Sequence, residues 1–351
     1  MSRHQSVTAI ALGLGCLLLA GLPAGAVNHS HQAPPLTPAN THVERLNPGL
    51  DAVLAKHVVI RRVATGFDFT EGPMWYLDKL WFSDCRSGNL YTMTAAGKVT
   101  LVMKNAGGIF APFPNNQGPE AMEIAPDGTI LLEQQGSRSI QDLDPVTLKL
   151  TPLVTAYHGK RFNSPNDIVY APDGTLWFTD PPFGLIGQNT SPDKELTYNG
   201  VFSFRKGWLT PAITDLFTPN GIGFSPDGKV LYVSNYEPDM YVREWDVAAD
   251  DTLSHPRYLI RYPAPHVEEA PDGLKIDSRG NIWTTGPGGI RIITPTGVVL
   301  GQIKLPEIAA NIAFAGADHR TVYIAASHSI YVLHSLIPGE APVYYRAHYR
   351  P

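Results

Sequence analysis

Apolar and aromatic residues along this 351-residue chain come in short runs, each stopped by Gly, Pro, Asn or Asp. Runs of this kind cover residues 57–63, 80–83, 90–94, 99–103, 200–204, 241–246, 289–293 and 329–333. β-Branched and aromatic residues dominate them, and no long stretch carries the 3.6-residue period of a helix, so the pattern predicts antiparallel sheets. One phrase recurs. Pro126-Asp127-Gly128 leads into Thr129-Ile130-Leu131-Leu132-Glu133, Pro172-Asp173-Gly174 into Thr175-Leu176-Trp177-Phe178-Thr179-Asp180, and Pro226-Asp227-Gly228 into Lys229-Val230-Leu231-Tyr232-Val233-Ser234-Asn235. Looser copies lie at 77–84, 277–285 and 316–326, centred on Trp81, Trp283 and Tyr323. Six strand-rich units of about 40–55 residues predict an all-β fold, a six-bladed β-propeller with a central channel, in which the polar residues discussed below are expected to bind metal. A sandwich has no cause to repeat one phrase at this spacing, and a β-helix repeats at a shorter period. The core positions Trp81, Leu131, Trp177, Tyr232, Trp283 and Tyr323 are expected to pack between blades. A strand near residues 58–63 is expected to pair with strands near the C-terminus and close the ring.

The N-terminus breaks this pattern. Arg3 and His4 precede a mostly apolar stretch over residues 8–22, and Ala24-Gly25-Ala26 offers small residues for cleavage. Residues 1–26 are read as a secretory signal peptide, which places the mature protein outside the cell or in a periplasm. Residues 27–47, rich in Pro, His, Asn and Thr, read as an irregular leader, and residues 48–351 as one propeller domain. The chain contains two cysteines, and cleavage would remove Cys16, leaving Cys85 without a partner and expected to be packed. A net charge of −5 with no basic run argues against nucleic acid or an anionic membrane as partner. Oligomeric state is left open.

Propellers bring one end of each blade's innermost strand to the axis, where ligand sites form. Just before each repeat phrase the chain places Glu71-Gly72, Glu120-Ala121, Asn166-Asp167, Asn220-Gly221, Asp272-Gly273 and Asn311-Ile312. Glu71, Glu120, Asn166, Asn220, Asp272 and Asn311 are therefore expected to converge. Carboxylates and amide carbonyls are hard donors suited to Ca²⁺ or Mg²⁺, whereas no His or Cys shares the register. One divalent cation is expected, with Ca²⁺ favoured and Mg²⁺, Mn²⁺ or Zn²⁺ as alternatives. Asn220 and Asp272, each followed by Gly, also fit ordinary turn positions. Glu71, a poor turn residue, does not.

Glu71-Gly72-Pro73, the stretch from Arg161 to Asp167, Phe178-Thr179-Asp180-Pro181, Pro219-Asn220-Gly221 and Pro271-Asp272-Gly273-Leu274 appear in order along nearly the whole mature chain. Together they resemble the senescence-marker protein/gluconolactonase/luciferin-regenerating enzyme family, whose animal member is regucalcin. The resemblance implies a six-bladed propeller with one divalent metal and, in many members, hydrolysis of sugar lactones. Carried over position by position, it implies metal ligation by Glu71, Asn166, Asn220 and Asp272. Glu120 stands where relatives often have Asn, which leaves it as a carboxylate behind the ligands or a substrate contact. Asn311 is expected behind the ligands.

The expected function is an exported, metal-dependent lactonase acting on a small sugar lactone. In it the metal polarises the carbonyl, and Asp272, with Glu71 as second choice, takes a proton from water. Asn166, Arg161, Glu120 and Asp180 are the candidate substrate contacts, with a solvated arginine as the plain alternative for Arg161. No Gly-x-Ser-x-Gly elbow is present, which disfavours a serine esterase. Two readings compete: an esterase or organophosphate hydrolase with the same metal centre, and a calcium-stabilised propeller that binds a ligand without catalysis.

Overall fold

The computed structural model describes residues 41–109, 117–263, 269–345 and 347–348 in full, and the backbone alone of residue 346. The expected signal peptide, and the leader up to residue 40, lie outside the described residues.

Six antiparallel sheets form the predicted propeller. Blade 1 consists of β-strands Thr70–Tyr76, Lys79–Asp84, Asn89–Thr94 and Val99–Met103. Blades 2, 3 and 4 begin with innermost strands Pro119–Ile124, Ile168–Tyr170 and Pro219–Phe224. Blades 5 and 6 begin with Leu274–Ile276 and Ala309–Ala315. Within each blade the innermost strand pairs with the strand carrying the repeat phrase, so the Pro-Asp-Gly turns lie together at one end of the channel. We call that end the lower face and the opposite end, where the innermost strands begin, the upper.

Inner strands are packed on both sides by neighbouring blades, and every residue of Thr70–Tyr76 is buried. The repeat-phrase aromatics fill the gaps. Trp177 and Trp283 are fully enclosed, Tyr232 nearly so, and each side chain of this kind contributes about 1.5–3 kcal/mol by leaving water.

Strand Arg61–Thr65 becomes the outer strand of blade 6, pairing antiparallel with Ser329–His334, as the closure argument expects. It begins later than the expected 57–63 run, because residues 57–60 carry the chain to that edge and Ile60 packs inward on the way. The leader also ends earlier than expected. His42–Arg45 is a fifth strand on blade 5, in register with Val299–Lys304, and Pro48–Ala52 is a short 3₁₀ helix capped by Asn47. Both cover a sheet edge that would otherwise expose unpaired backbone groups.

Candidate active site

The innermost strand of a blade enters the channel through a loop whose backbone N–H groups need partners. The last residue of the repeat phrase supplies them. Asp84 accepts from Asp68 N and Phe69 N at 3.1 and 2.8 Å, Asn235 from Phe217 N and Thr218 N at 3.1 and 2.9 Å, and Asp180 from Asn163 N and Ser164 N, both at 2.8 Å. This is why the phrase ends on an acid or amide in these blades.

It also corrects the reading of Asp180 as a substrate contact. Asp180 is fully buried, both carboxylate oxygens are used by backbone, and its role is to hold the loop that delivers Asn166. Arg161 is likewise displaced from the expected site. Its side chain is exposed, its Nη2 donates to Ser137 O at 3.2 Å, and it does not line the cavity described next.

At the upper end of the channel a cavity of about 490 Å³ is walled by Glu71, Glu120, Asn166, Asn220 and Asp272, drawn from five different blades. The sheet register breaks by a bulge between Glu71 and Met74, between Pro119 and Met122, and between Pro219 and Ile222. A bulge re-aims a side chain that would otherwise follow the strand's alternation. Asn220 therefore sits in a strand, not a turn. Gly221 is required there for a different reason: a Cβ would come within 2.4 Å of Asp272 O, and the Gly221 N–H donates to that same oxygen at 3.1 Å.

Asn311 stays behind the cavity wall. Its Nδ2 donates to Glu71 Oε2 at 3.1 Å, and its Oδ1 accepts from Lys275 Nζ at 3.3 Å. Lys275 in turn lies 3.6 Å from Asp167 Oδ2. Sequence reasoning missed this Lys275–Asp167 pair. The only available signal was that most blades carry a small or apolar residue where blade 3 has Asp167. Phe69, Arg86, Phe183, Gln188, Tyr236 and Glu237 add to the wall, Phe183 coming from the Pro-Pro-Phe-Gly segment expected there. Cys85 also reaches the wall but is buried, and burial pushes its thiol well above the usual range, so it is a packed thiol. His328 bonds to Phe67 O at 2.9 Å, away from the cavity.

Arg86 lines this wall beside the carboxyls of Glu71, Glu120, Glu237 and Asp272, so the acids outnumber the cation. Burial, then repulsion from Asp167, lifts Glu71 to about 7 against the pull of the Gly72 N–H. Burial and the neighbouring acids push Glu120 and Asp272 well above the carboxylate range. Among the described residues no three His, Cys, Asp or Glu side chains form a metal cluster by themselves. The amide oxygens of Asn166 and Asn220 are needed to extend the donor set. Clustered acids in excess, beside neutral oxygen donors, fit a hard divalent cation, which would relieve the repulsion.

Residues 69–328 match the model of the SMP-30/Gluconolactonase/LRE-like region. The chain belongs to this family. The SMP-30/gluconolactonase/LRE-like relatives include a gluconolactonase of Zymomonas mobilis subsp. mobilis, 36% identical over 305 residues, spanning 82% of this chain and 84% of the relative. Among solved structures of the family's fold, a gluconolactonase from Xanthomonas campestris superposes with a TM-score of 0.75 at 25% identity, covering 88% of this chain and 98% of that one. A calcium-binding regucalcin from Agrobacterium tumefaciens superposes with a TM-score of 0.65 at 19% identity, covering 82% and 98%, a likeness of fold alone.

Proposed function

We propose that this protein is a divalent-metal-dependent lactonase that opens a small sugar lactone at the upper mouth of the channel. The observation that carries the reading is the cavity walled by Glu71, Glu120, Asn166, Asn220 and Asp272 in a chain of the gluconolactonase family. Relatives named gluconolactonase on the sequence and the structure side support the substrate class.

In this proposal Glu71, Asn166, Asn220 and Asp272 hold one divalent cation, Ca²⁺ being favoured by the all-oxygen set. When bound, the cation supplies positive charge that draws electron density from the lactone carbonyl. Asp272 takes the proton of the water that attacks the carbonyl carbon, then returns it to the ring oxygen as the acyl C–O bond breaks, leaving the hydroxy acid. Asn311, donating to Glu71, keeps that carboxylate turned to the cavity. Glu120 accepts from a sugar hydroxyl, and Phe69, Phe183 and Tyr236 screen the reacting bond from bulk water. Export is part of the proposal, supported by the apolar stretch and the Ala24-Gly25-Ala26 site.

Hydrolysis of glucono-lactone followed with a pH indicator tests the reading. Activity should vanish on complete chelation, return with Ca²⁺, and fall about 10²–10⁴-fold in Asp272→Asn while the fold persists. Hydrolysis that survives full metal removal sinks the mechanism. Metal binding without turnover of any lactone or ester would leave a calcium-stabilised binding propeller. Turnover of simple or phosphate esters alone would move the substrate class.

A further inference from the structure

The same channel has a second opening. At the lower face a cavity of about 360 Å³, separate from the upper one, is lined by the aromatic side chains of Trp75, Tyr170, Phe224 and Phe314. Its volume lies within the range of small-molecule sites. The C-terminal segment forms one side: Glu340 N donates to Ile276 O at 2.9 Å, and Glu340 and Pro342 line the cavity.

This apolar pocket holds a buried acid. Glu123 projects from blade 2 into its wall, only 6% exposed, accepting from Ile124 N at 2.7 Å and forming no ion pair among the described residues. The one lysine of the lining, Lys275, is engaged by Asp167 at 3.6 Å, by Leu274 O at 3.1 Å and by Asn311 Oδ1. Glu340 adds a second acidic residue at the rim. The pocket is therefore aromatic, with a buried carboxyl that forms no ion pair among the described residues. Burial lifts that carboxyl to about 7, with Asp167 raising it further and Lys275 and the backbone N–H groups of Ile124 and Tyr170 opposing.

We infer that the lower mouth is a second ligand site, taking a small molecule that carries an ammonium group on an apolar body. The ammonium sits against Glu123, and the body packs on the Trp75, Tyr170 and Phe314 faces, an arrangement in which ring quadrupole and carboxylate act with the same sign. The sugar lactone of the upper site, uncharged and hydroxyl-rich, matches neither the walls nor the charge of this pocket. The inference is independent of the lactonase reading.

Benzylammonium is a suitable probe, titrated calorimetrically into the intact protein with Ca²⁺ in excess to neutralise the upper acids. Saturable one-to-one binding is expected, with benzyl alcohol and phenylacetate at least about tenfold weaker. Glu123→Gln should weaken benzylammonium by a similar factor while lactone hydrolysis stays unchanged and the protein still unfolds cooperatively. Equal binding of benzyl alcohol, unaltered binding in Glu123→Gln, or no saturable heat at millimolar ligand would each overturn the inference. Binding lost in Asp272→Asn but kept in Glu123→Gln would assign the cation to the upper cavity and overturn it as well.

Discussion

Asn311 donates from Nδ2 to Glu71 Oε2 at 3.1 Å, tying the sixth blade to the first at the point where the ring is closed by the two ends of the fold. The same amide accepts from Lys275 of blade 5, so one side chain fixes its own orientation and that of a carboxylate in the cavity. Replacing Asn311 by Leu takes one hydrogen-bond partner from Glu71, which keeps the Gly72 N–H, and one from Lys275, which keeps Asp167 and Leu274 O. The expected cost is about 0.5–1.5 kcal/mol per lost hydrogen bond, read by urea unfolding. Calcium affinity, measured by calorimetry, should fall with it, since Glu71 is then free to turn away.

Asp180 acts through the backbone it holds. Asp180→Ala should destabilise the protein by about 1–3 kcal/mol for each of the two N–H groups it abandons. Because Asn166 follows that loop, calcium affinity should weaken as well. A variant with full stability and only a raised KM would return Asp180 to the substrate contacts.

Glu133 is fully buried and neither carboxylate oxygen has a hydrogen-bond partner. Burial, reinforced by Asp167, Glu120 and Asp180, holds it protonated well above the usual carboxylate range. Glu133→Met keeps the volume and removes the unsatisfied group, so a gain of about 1–3 kcal/mol in urea unfolding at neutral pH is expected. A loss of stability instead would mean that the carboxyl has a partner in solution.

Stability should depend on pH in a direction opposite to that of a salt-bridged protein. Glu123 and Asp180 are each lifted by burial to about 7, and Asp167 and Glu133 are raised as well. Between the unfolded carboxyl pKa and the folded one the native state binds more protons than the unfolded, so stability falls as pH rises. The metal-free protein should therefore melt progressively lower as pH rises from about 4 to about 7. A flat or rising melting profile over that window contradicts the burial argument.

Much of the architecture was legible because it is periodic. Trp81, Trp177 and Trp283 occupy equivalent places, and one geometric demand repeated six times leaves one phrase repeated six times. The convergence of Glu71, Glu120, Asn166, Asn220 and Asp272 followed from the same register. Roles set by contacts between distant strands were not legible. An acid closing a strand reads alike whether it faces a sugar, as expected of Asp180, or two backbone N–H groups, as it does. The Asp167–Lys275 pair spans blades 3 and 5, and only the closed ring brings those strands together. Gly221 looked like half of a turn because close approach by a neighbouring blade leaves no mark on the chain itself.

The pairing of Arg61–Thr65 with Ser329–His334 has a temporal meaning. Four blades are built wholly from consecutive residues and can assemble in the order in which they leave the ribosome, and blade 5 can do so apart from its outermost strand His42–Arg45. The sixth cannot, since its outer strand is made near the beginning and its remaining three near the end. The early segment must wait, edge exposed, through the synthesis of most of the protein before its mate exists. Contacts of such long sequence separation are slow to form, so final locking of the circle is the step at which a folding helper would matter most.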